Sequence, residues 1–148
     1  MVCAMGTFIF PQYSELFRIG YVSALASKLS DTFGSELGKA YGKNTYLITS
    51  MKMVTKGTEG AVSVEGTVSG VIGSIIIAAI ATSLGVLPPG WESWLICVTA
   101  AFVATTAESY IGASFQGSNY PWLTNELVNL IMTIIGAVTG MGIANLVL

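Results

Sequence analysis

The sequence predicts an all-α fold, a polytopic bundle of transmembrane helices with about four long helices and a short apolar segment at the N-terminus. The composition supports this prediction, because 53% of the 148 residues are hydrophobic and only 9% are charged. In a soluble domain, by contrast, about a quarter of the residues are charged. The second observation is a set of apolar stretches close to the roughly 20 residues that a transmembrane helix requires. The length fits one integral membrane domain, residues 1–148.

Each predicted element follows from its hydropathy. Residues 1–10 are apolar but too short to cross a bilayer, so we expect the end of a preceding helix there. Residues 13–31 are moderately apolar, and this helix can continue to residue 42. Three longer apolar stretches follow and are predicted to span the membrane: residues 66–87, 94–113 and 126–148.

The residue types that are absent or rare in the chain exclude several classes of function. There is no histidine, which removes the usual general base and any Ser-His-Asp arrangement. Cys3 and Cys97 lie far apart in apolar surroundings, so we expect small buried hydrophobic side chains rather than metal ligands. The pI of about 4.9 and the absence of a basic patch argue against nucleic acid as a partner.

The charged residues are concentrated in one segment. Residues 28–67 hold five of the six Lys/Arg residues and four of the eight Asp/Glu residues. The connectors 88–93 and 114–124 contain no Lys or Arg. Because basic residues collect in cytoplasmic loops, we predict that the lysine-rich segment faces the inner side of the membrane and that residues 88–93 lie on the outer side.

Alternation of the helices then brings four polar motifs to the lysine-rich face. They are Asp31, the turn at residues 56–60, Glu108 and the segment 124–129. Ionisable residues within a membrane are energetically costly and are functional candidates by default. Their convergence predicts a site at that face.

These residue types suit phosphate and a divalent cation. A glycine-rich turn ahead of a helix presents backbone N–H groups to anions, and the helix dipole favours anions further. Lys52 and Lys56 can add positive charge. Carboxylates suit Mg²⁺, which prefers one or two of them together with substrate phosphates and water. Phosphoryl transfer depends mainly on positioning and charge neutralisation, so it does not require histidine; the chain has no P-loop motif.

Some of these residues also have a structural interpretation. Glu36 can pair with Lys39 or Lys43 on a second helix face, and Glu65 can stabilise the start of the following helix. Small residues at helical spacing are typical of close helix packing in membranes. Two stripes of this kind occur: Ser27, Gly34, Ser35, Gly38 and Gly42 around Asp31, and Thr133, Gly136 and Gly140 after Asn125 and Asn129.

Four motifs occur in order along the chain: "SDTFGSELGK", "KGTEGAVSVEGT", "ESYIGASFQ" and "WLTNELVN". On these motifs, the sequence from about Ser23 onward resembles the phytyl-phosphate kinase family of integral membrane proteins, which includes the transmembrane-protein-nineteen-like proteins; within it, the vitamin E pathway subtype is the nearest match. A looser similarity reaches the dolichol and phytol kinases. Two departures are a lack of the further N-terminal helices of longer relatives and an Asn125–Glu126 pair where many relatives have Asn-Asp.

The resemblance implies a kinase that converts phytyl phosphate to phytyl diphosphate in tocopherol synthesis and phytol salvage. It implies a nucleoside triphosphate as co-substrate, CTP-like by family analogy, and Mg²⁺. The implied location is a cyanobacterial membrane or the chloroplast envelope, with the active face on the lysine-rich side. The expected partners are the lipid bilayer, a prenyl phosphate and a nucleotide, and a homo-oligomer is left open.

We therefore predict the following roles. The catalytic residues are Asp31, Lys52 and Glu108, of which Asp31 and Glu108 hold the metal. The substrate- and phosphate-binding residues are Ser35, Glu36, Lys56, Gly57, Thr58, Glu59, Gly60, Ser109, Asn125 and Asn129. Two other classes of function use the same residues: a transporter of a small anion or a prenyl phosphate, and a non-catalytic helical membrane subunit. No inverted repeat between the two halves of the sequence supports the transporter.

Overall fold

The computed structural model of the chain describes residues 2–115, 120 and 122–148. Five α-helices dominate it: α1 (Val2–Ile9), α2 (Ser14–Tyr41), α3 (Val64–Ser83), α4 (Trp91–Phe115) and α5 (Asn125–Val147). A 3-10 turn (Pro11–Tyr13) joins α1 to α2, and a small antiparallel sheet pairs β1 (Tyr46–Leu47) with β2 (Ala61–Val62). The predicted all-α bundle, with four long helices after a short N-terminal one, is confirmed.

Three of the helices are long and apolar enough to cross a membrane. They are α3, α4 and α5, with mean hydropathies of 1.9, 1.4 and 2.0 over their most apolar windows. By contrast, α2 is longer, at 28 residues, but contains several charged side chains. It lies at the centre of the bundle and packs against all three. Because much of its surface contacts other helices rather than lipid, α2 does not need the same apolar surface.

Small residues allow the neighbouring helices to approach α2 closely. A Cβ atom on Gly70 of α3 would lie 2.9 Å from Ser30 Oγ, and one on Gly136 of α5 would collide with Ser27 Oγ. Side chains larger than glycine would therefore push α3 and α5 away from α2. Ser27 and Gly136, one from each stripe of small residues, thus act in helix packing, which is their structural interpretation.

The bundle is closed where α3 meets α4. Leu87, in the connector, is buried together with Ile19, Val22 and Ile96. At the opposite end α2 finishes, α3 and α5 begin, and the segment 42–63 covers the helix ends. We call this the lysine-rich end. A cavity lies among the helices at this end.

Candidate functional site

A cavity of about 490 Å³ lies at the lysine-rich end. It is lined by all four long helices and by the turn before β2. The predicted site residues that line it are Asp31, Ser35, Gly57, Thr58, Glu59, Gly60, Glu108, Ser109, Asn125 and Asn129. The four polar motifs, which are separated by up to about a hundred residues in sequence, thus share one space. Three predicted residues, Glu36, Lys52 and Lys56, are not part of this lining.

Acidic side chains from three segments meet in the cavity. Asp31 comes from α2, Glu59 from the turn and Glu108 from α4, and all three line the same space. The Asp31 side chain is only 17% exposed. Ser109 Oγ lies 3.5 Å from Glu108 Oε2, at the limit of a hydrogen bond. Acidic groups that share one cavity repel one another, and a bound cation would offset that repulsion.

The donor set fits Mg²⁺ bound together with phosphate. No group of three or more His, Cys, Asp or Glu residues within 2–115, 120 and 122–148 is arranged to hold a metal ion by itself. Mg²⁺ does not need such a cage, because it takes one or two carboxylates and completes its shell with substrate oxygens and water. Asp31 and Glu108 are suited to that role, since both face the same cavity.

Lys28 connects this site across two helices. Its Nζ donates to Asn129 Oδ1 at 2.7 Å and lies 3.4 Å from Asp31 Oδ2. The amide of Asn129 and the carboxylate of Asp31 are therefore held by one cation, although they come from α5 and α2. The sequence-based assignment gave Lys28 no role.

Lys39 is a second lysine that the sequence-based assignment missed. It lines the cavity, and its Nζ lies 3.3 Å from Glu36 Oε1 on an exposed face of α2. Glu36 therefore forms the ion pair with Lys39 that was the structural alternative to a role in binding. The signal that could have found both lysines is their helical spacing. Lys28, Asp31, Ser35 and Lys39 follow one another at three- and four-residue steps, which places them on one side of α2.

The glycine turn has a different structure from the one predicted. It does not run directly into a helix, because β2 and Ser63 stand between the turn and α3. Ser63 caps α3, and its Oγ accepts a hydrogen bond from Gly66 N at 3.1 Å. Within the turn, the backbone N–H and the hydroxyl of Thr58 both donate to Thr55 O, at 3.2 and 2.8 Å. These donors serve the turn, so phosphate binding at this point would rely on other groups.

Gly60 has a packing role. Its φ of +70° favours glycine, and a Cβ atom there would collide with Ala113 and with Ser109 O of α4. The turn can therefore rest directly on the α4 backbone only because this position has no side chain. Gly57 also has a positive φ, +86°, but a Cβ atom there would meet nothing within 4 Å.

Fold and cavity together define a class: a polytopic helical membrane protein with a charged, polar site at one end of its bundle. The chain belongs to the integral membrane protein DUF92 family, whose model matches residues 1–137. The family resemblance indicated by the four sequence motifs is confirmed by this match and by the relatives.

Three relatives span a wide range of organisms. A membrane protein of Synechocystis sp. is 46% identical over 143 residues, which is 96% of this chain and 54% of the relative. The chloroplastic protein VTE6 of Arabidopsis thaliana is 45% identical over 130 residues, 87% of this chain and 38% of VTE6. A membrane protein of Methanocaldococcus jannaschii is 41% identical over 124 residues, 83% of this chain and 50% of the relative. The chain thus spans about half or less of the length of these relatives. No solved structure matches it significantly.

Proposed function

We propose that this chain is a membrane-embedded prenyl-phosphate kinase, which transfers a phosphoryl group from a nucleoside triphosphate to phytyl phosphate and so forms phytyl diphosphate. The observation that carries the proposal is the meeting of Asp31, Glu108 and Asn129 in one cavity at the end of a membrane bundle. The sequence resemblance and the relationship to VTE6 support a role in the vitamin E pathway, in tocopherol synthesis and phytol salvage.

The reaction suits the residues present. The bond between the terminal phosphorus and its bridging oxygen breaks, a bond to an oxygen of the lipid phosphate forms, and the nucleoside diphosphate leaves. The attacking phosphate oxygen is already ionised near neutral pH, so no strong general base is required. This agrees with a chain that has no histidine. Bound Mg²⁺ would supply charge neutralisation, and Asp31 and Glu108 are the residues that would hold it.

Positive charge on α2 complements this role. Lys39 lines the cavity, and Lys28 contacts two residues that line it, Asp31 and Asn129. The predicted Lys52 and Lys56 are not part of the lining. A lysine ammonium attracts phosphate as a point charge. We therefore assign phosphate recognition to the α2 lysines, with the amide of Asn129 oriented by Lys28.

A phosphoryl-transfer assay tests the proposal. The detergent-purified chain is incubated with phytyl phosphate and each of four nucleoside triphosphates, with Mg²⁺ or with EDTA, and phytyl diphosphate is quantified by mass spectrometry. We expect Mg²⁺-dependent product with at least one nucleotide, a pyrimidine nucleotide by family analogy. No product with any of the four at saturating Mg²⁺ would refute the proposal. Nucleotide-independent release of phytyl phosphate across vesicles would favour the transporter instead.

A further inference from the structure

An apolar groove lies on α4 next to the cavity. It has a volume of about 470 Å³, and only apolar surface lines it. Its residues form two adjacent rows at four-residue spacing on one face of the helix: Phe102, Val103, Thr106, Ala107, Tyr110 and Ile111. Thr106 fits this apolar surface because its hydroxyl donates back to Phe102 O at 2.7 Å.

The groove and the cavity share a wall. Phe102 and Thr106 line both spaces. Along the rest of the groove, α4 alone supplies the lining, and Val103 and Tyr110 are 41% and 55% exposed. A ligand can therefore extend from the charged cavity onto a face of α4 that is left to the bilayer.

Such a pair of spaces matches a particular kind of molecule. The cavity offers acids, amides and the ammonium of Lys39, which suit a phosphate with its metal. The groove offers apolar contacts on α4, next to the cavity. A ligand that fills both has a phosphate head and a single apolar chain, and it enters sideways from the bilayer rather than from water.

We propose that the groove binds the prenyl chain of the lipid phosphate whose head group lies in the cavity, and that this face of α4 sets the chain-length preference. The inference rests on the proposed function for the nature of the head group. It adds a location for the chain and the residues that select it. Val103 is the position that tests this, because it lies in the groove but not in the cavity lining, and it is at the end of the groove away from Glu108.

Kinetics with two chain lengths test the groove. Val103→Trp fills it, and Leu95→Trp is the matched control, because Leu95 is an exposed residue of α4 two turns nearer the closed end. The acceptors are phytyl phosphate and dimethylallyl phosphate, whose short chain does not reach position 103. We expect Val103→Trp to raise KM for phytyl phosphate about tenfold with kcat unchanged, and to leave KM for dimethylallyl phosphate as in wild type. Leu95→Trp changes neither value.

Two outcomes of these measurements would contradict the inference. An equal rise for both acceptors, or no change for either, would overturn the groove as the chain site. Should Val103→Trp fail to fold, Val103→Phe replaces it, since its smaller ring fills the same exposed position. Binding of phytyl phosphate alone is weakened if the inference is correct, and that of both acceptors or neither if it is wrong.

Crosslinking separates this inference from the kinase proposal. A benzophenone amino acid is placed at position 103 or 95, and the protein is reconstituted in phosphatidylcholine vesicles that contain phytyl phosphate. We expect a saturable phytyl phosphate adduct at position 103 only. This adduct without any turnover would support the groove while the kinase proposal falls. Turnover without the adduct, equal labelling at both positions, or crosslinked dimers of the chain would overturn the groove and leave the kinase proposal standing.

Discussion

Lys28 holds two residues of the site, Asp31 and Asn129, in position. It is half-exposed, yet its Nζ is 2.7 Å from Asn129 Oδ1 and 3.4 Å from Asp31 Oδ2. Hydrogen bonds from a charged donor are roughly twice as strong as neutral ones. The lysine thus fixes the amide orientation of Asn129, whose Nδ2 then points away from Lys28, and offsets part of the Asp31 charge.

The first prediction compares Lys28 with Lys52. Lys28→Met should lower kcat/KM about tenfold or more, because it releases Asn129 and leaves Asp31 unneutralised. Lys28→Arg should retain most of the activity, since it still donates to both groups. Lys52→Met should behave as wild type if the structural assignment is correct. Equal losses in Lys28→Met and Lys52→Met would instead favour the sequence-based assignment of Lys52.

Asp31 carries the second prediction. Asp31→Asn should lower turnover about a hundredfold, the usual scale for removing one electrostatic contact to a transferring group, while the melting temperature changes little. Glu15→Gln is the matched control on the same helix, because Glu15 is exposed and is not part of the cavity lining. Turnover of Asp31→Asn near the wild-type value at saturating Mg²⁺ would contradict the metal-binding role.

At the scale of elements, the turn before β2 connects the site to α4. The third prediction contrasts its two glycines. Gly60→Val should lower the melting temperature strongly, because a side chain there collides with the α4 backbone. Gly57→Val meets open space, so its cost should be limited to the strain of a positive φ, about 1–3 kcal/mol.

Ligand-induced thermal shifts measured with phytyl phosphate complete this comparison. If Gly60 acts by packing, the fraction of Gly60→Val that stays folded should keep its full ligand shift. A variant that melts like wild type but loses the shift would show that the turn binds phosphate through its backbone. Gly57→Val provides the control for an altered turn that still rests on α4.

The element boundaries show what local sequence can and cannot predict. The sequence predicts a helix over residues 13–31 that can continue to residue 42, and α2 takes the longer form, from Ser14 to Tyr41 with Gly42 as its C-cap. The start of α3 was placed at residue 66 but lies at Val64, since the cap is Ser63 and not the glycine turn. The short sheet was not expected, because two-residue strands leave almost no pattern in the sequence.

At the scale of the whole molecule, the fourth prediction concerns orientation. The lysine-rich segment is expected on the cytoplasmic or stromal side. Single cysteines at Ser50 and Ser83, both exposed and at opposite ends of the bundle, are introduced into a Cys3→Ser, Cys97→Ala background. In sealed vesicles of known orientation, a membrane-impermeant maleimide should label the two positions from opposite sides, Ser50→Cys from the cytoplasmic side. Labelling of both from one side would contradict the alternation, and the reverse pattern would contradict the orientation.

The sequence by itself determined the number of long helices, the all-α class, the family and the convergence of Asp31, Glu108 and the Asn125–Asn129 segment. Hydropathy depends only on the residues of each segment, so the sequence is enough to locate the helices that span the membrane. Because successive helices cross the membrane in opposite directions, few topologies then remain. Only the tertiary structure decided which lysines reach the cavity. Lys39 lines the cavity and Lys28 holds Asp31 and Asn129 beside it, because packing against the other helices fixes the rotation of α2. Lys52 and Lys56 follow the path of the segment between β1 and β2, which rests on α4. The role of Gly60 likewise depends on the α4 backbone, a neighbour about fifty residues away that local sequence does not reveal.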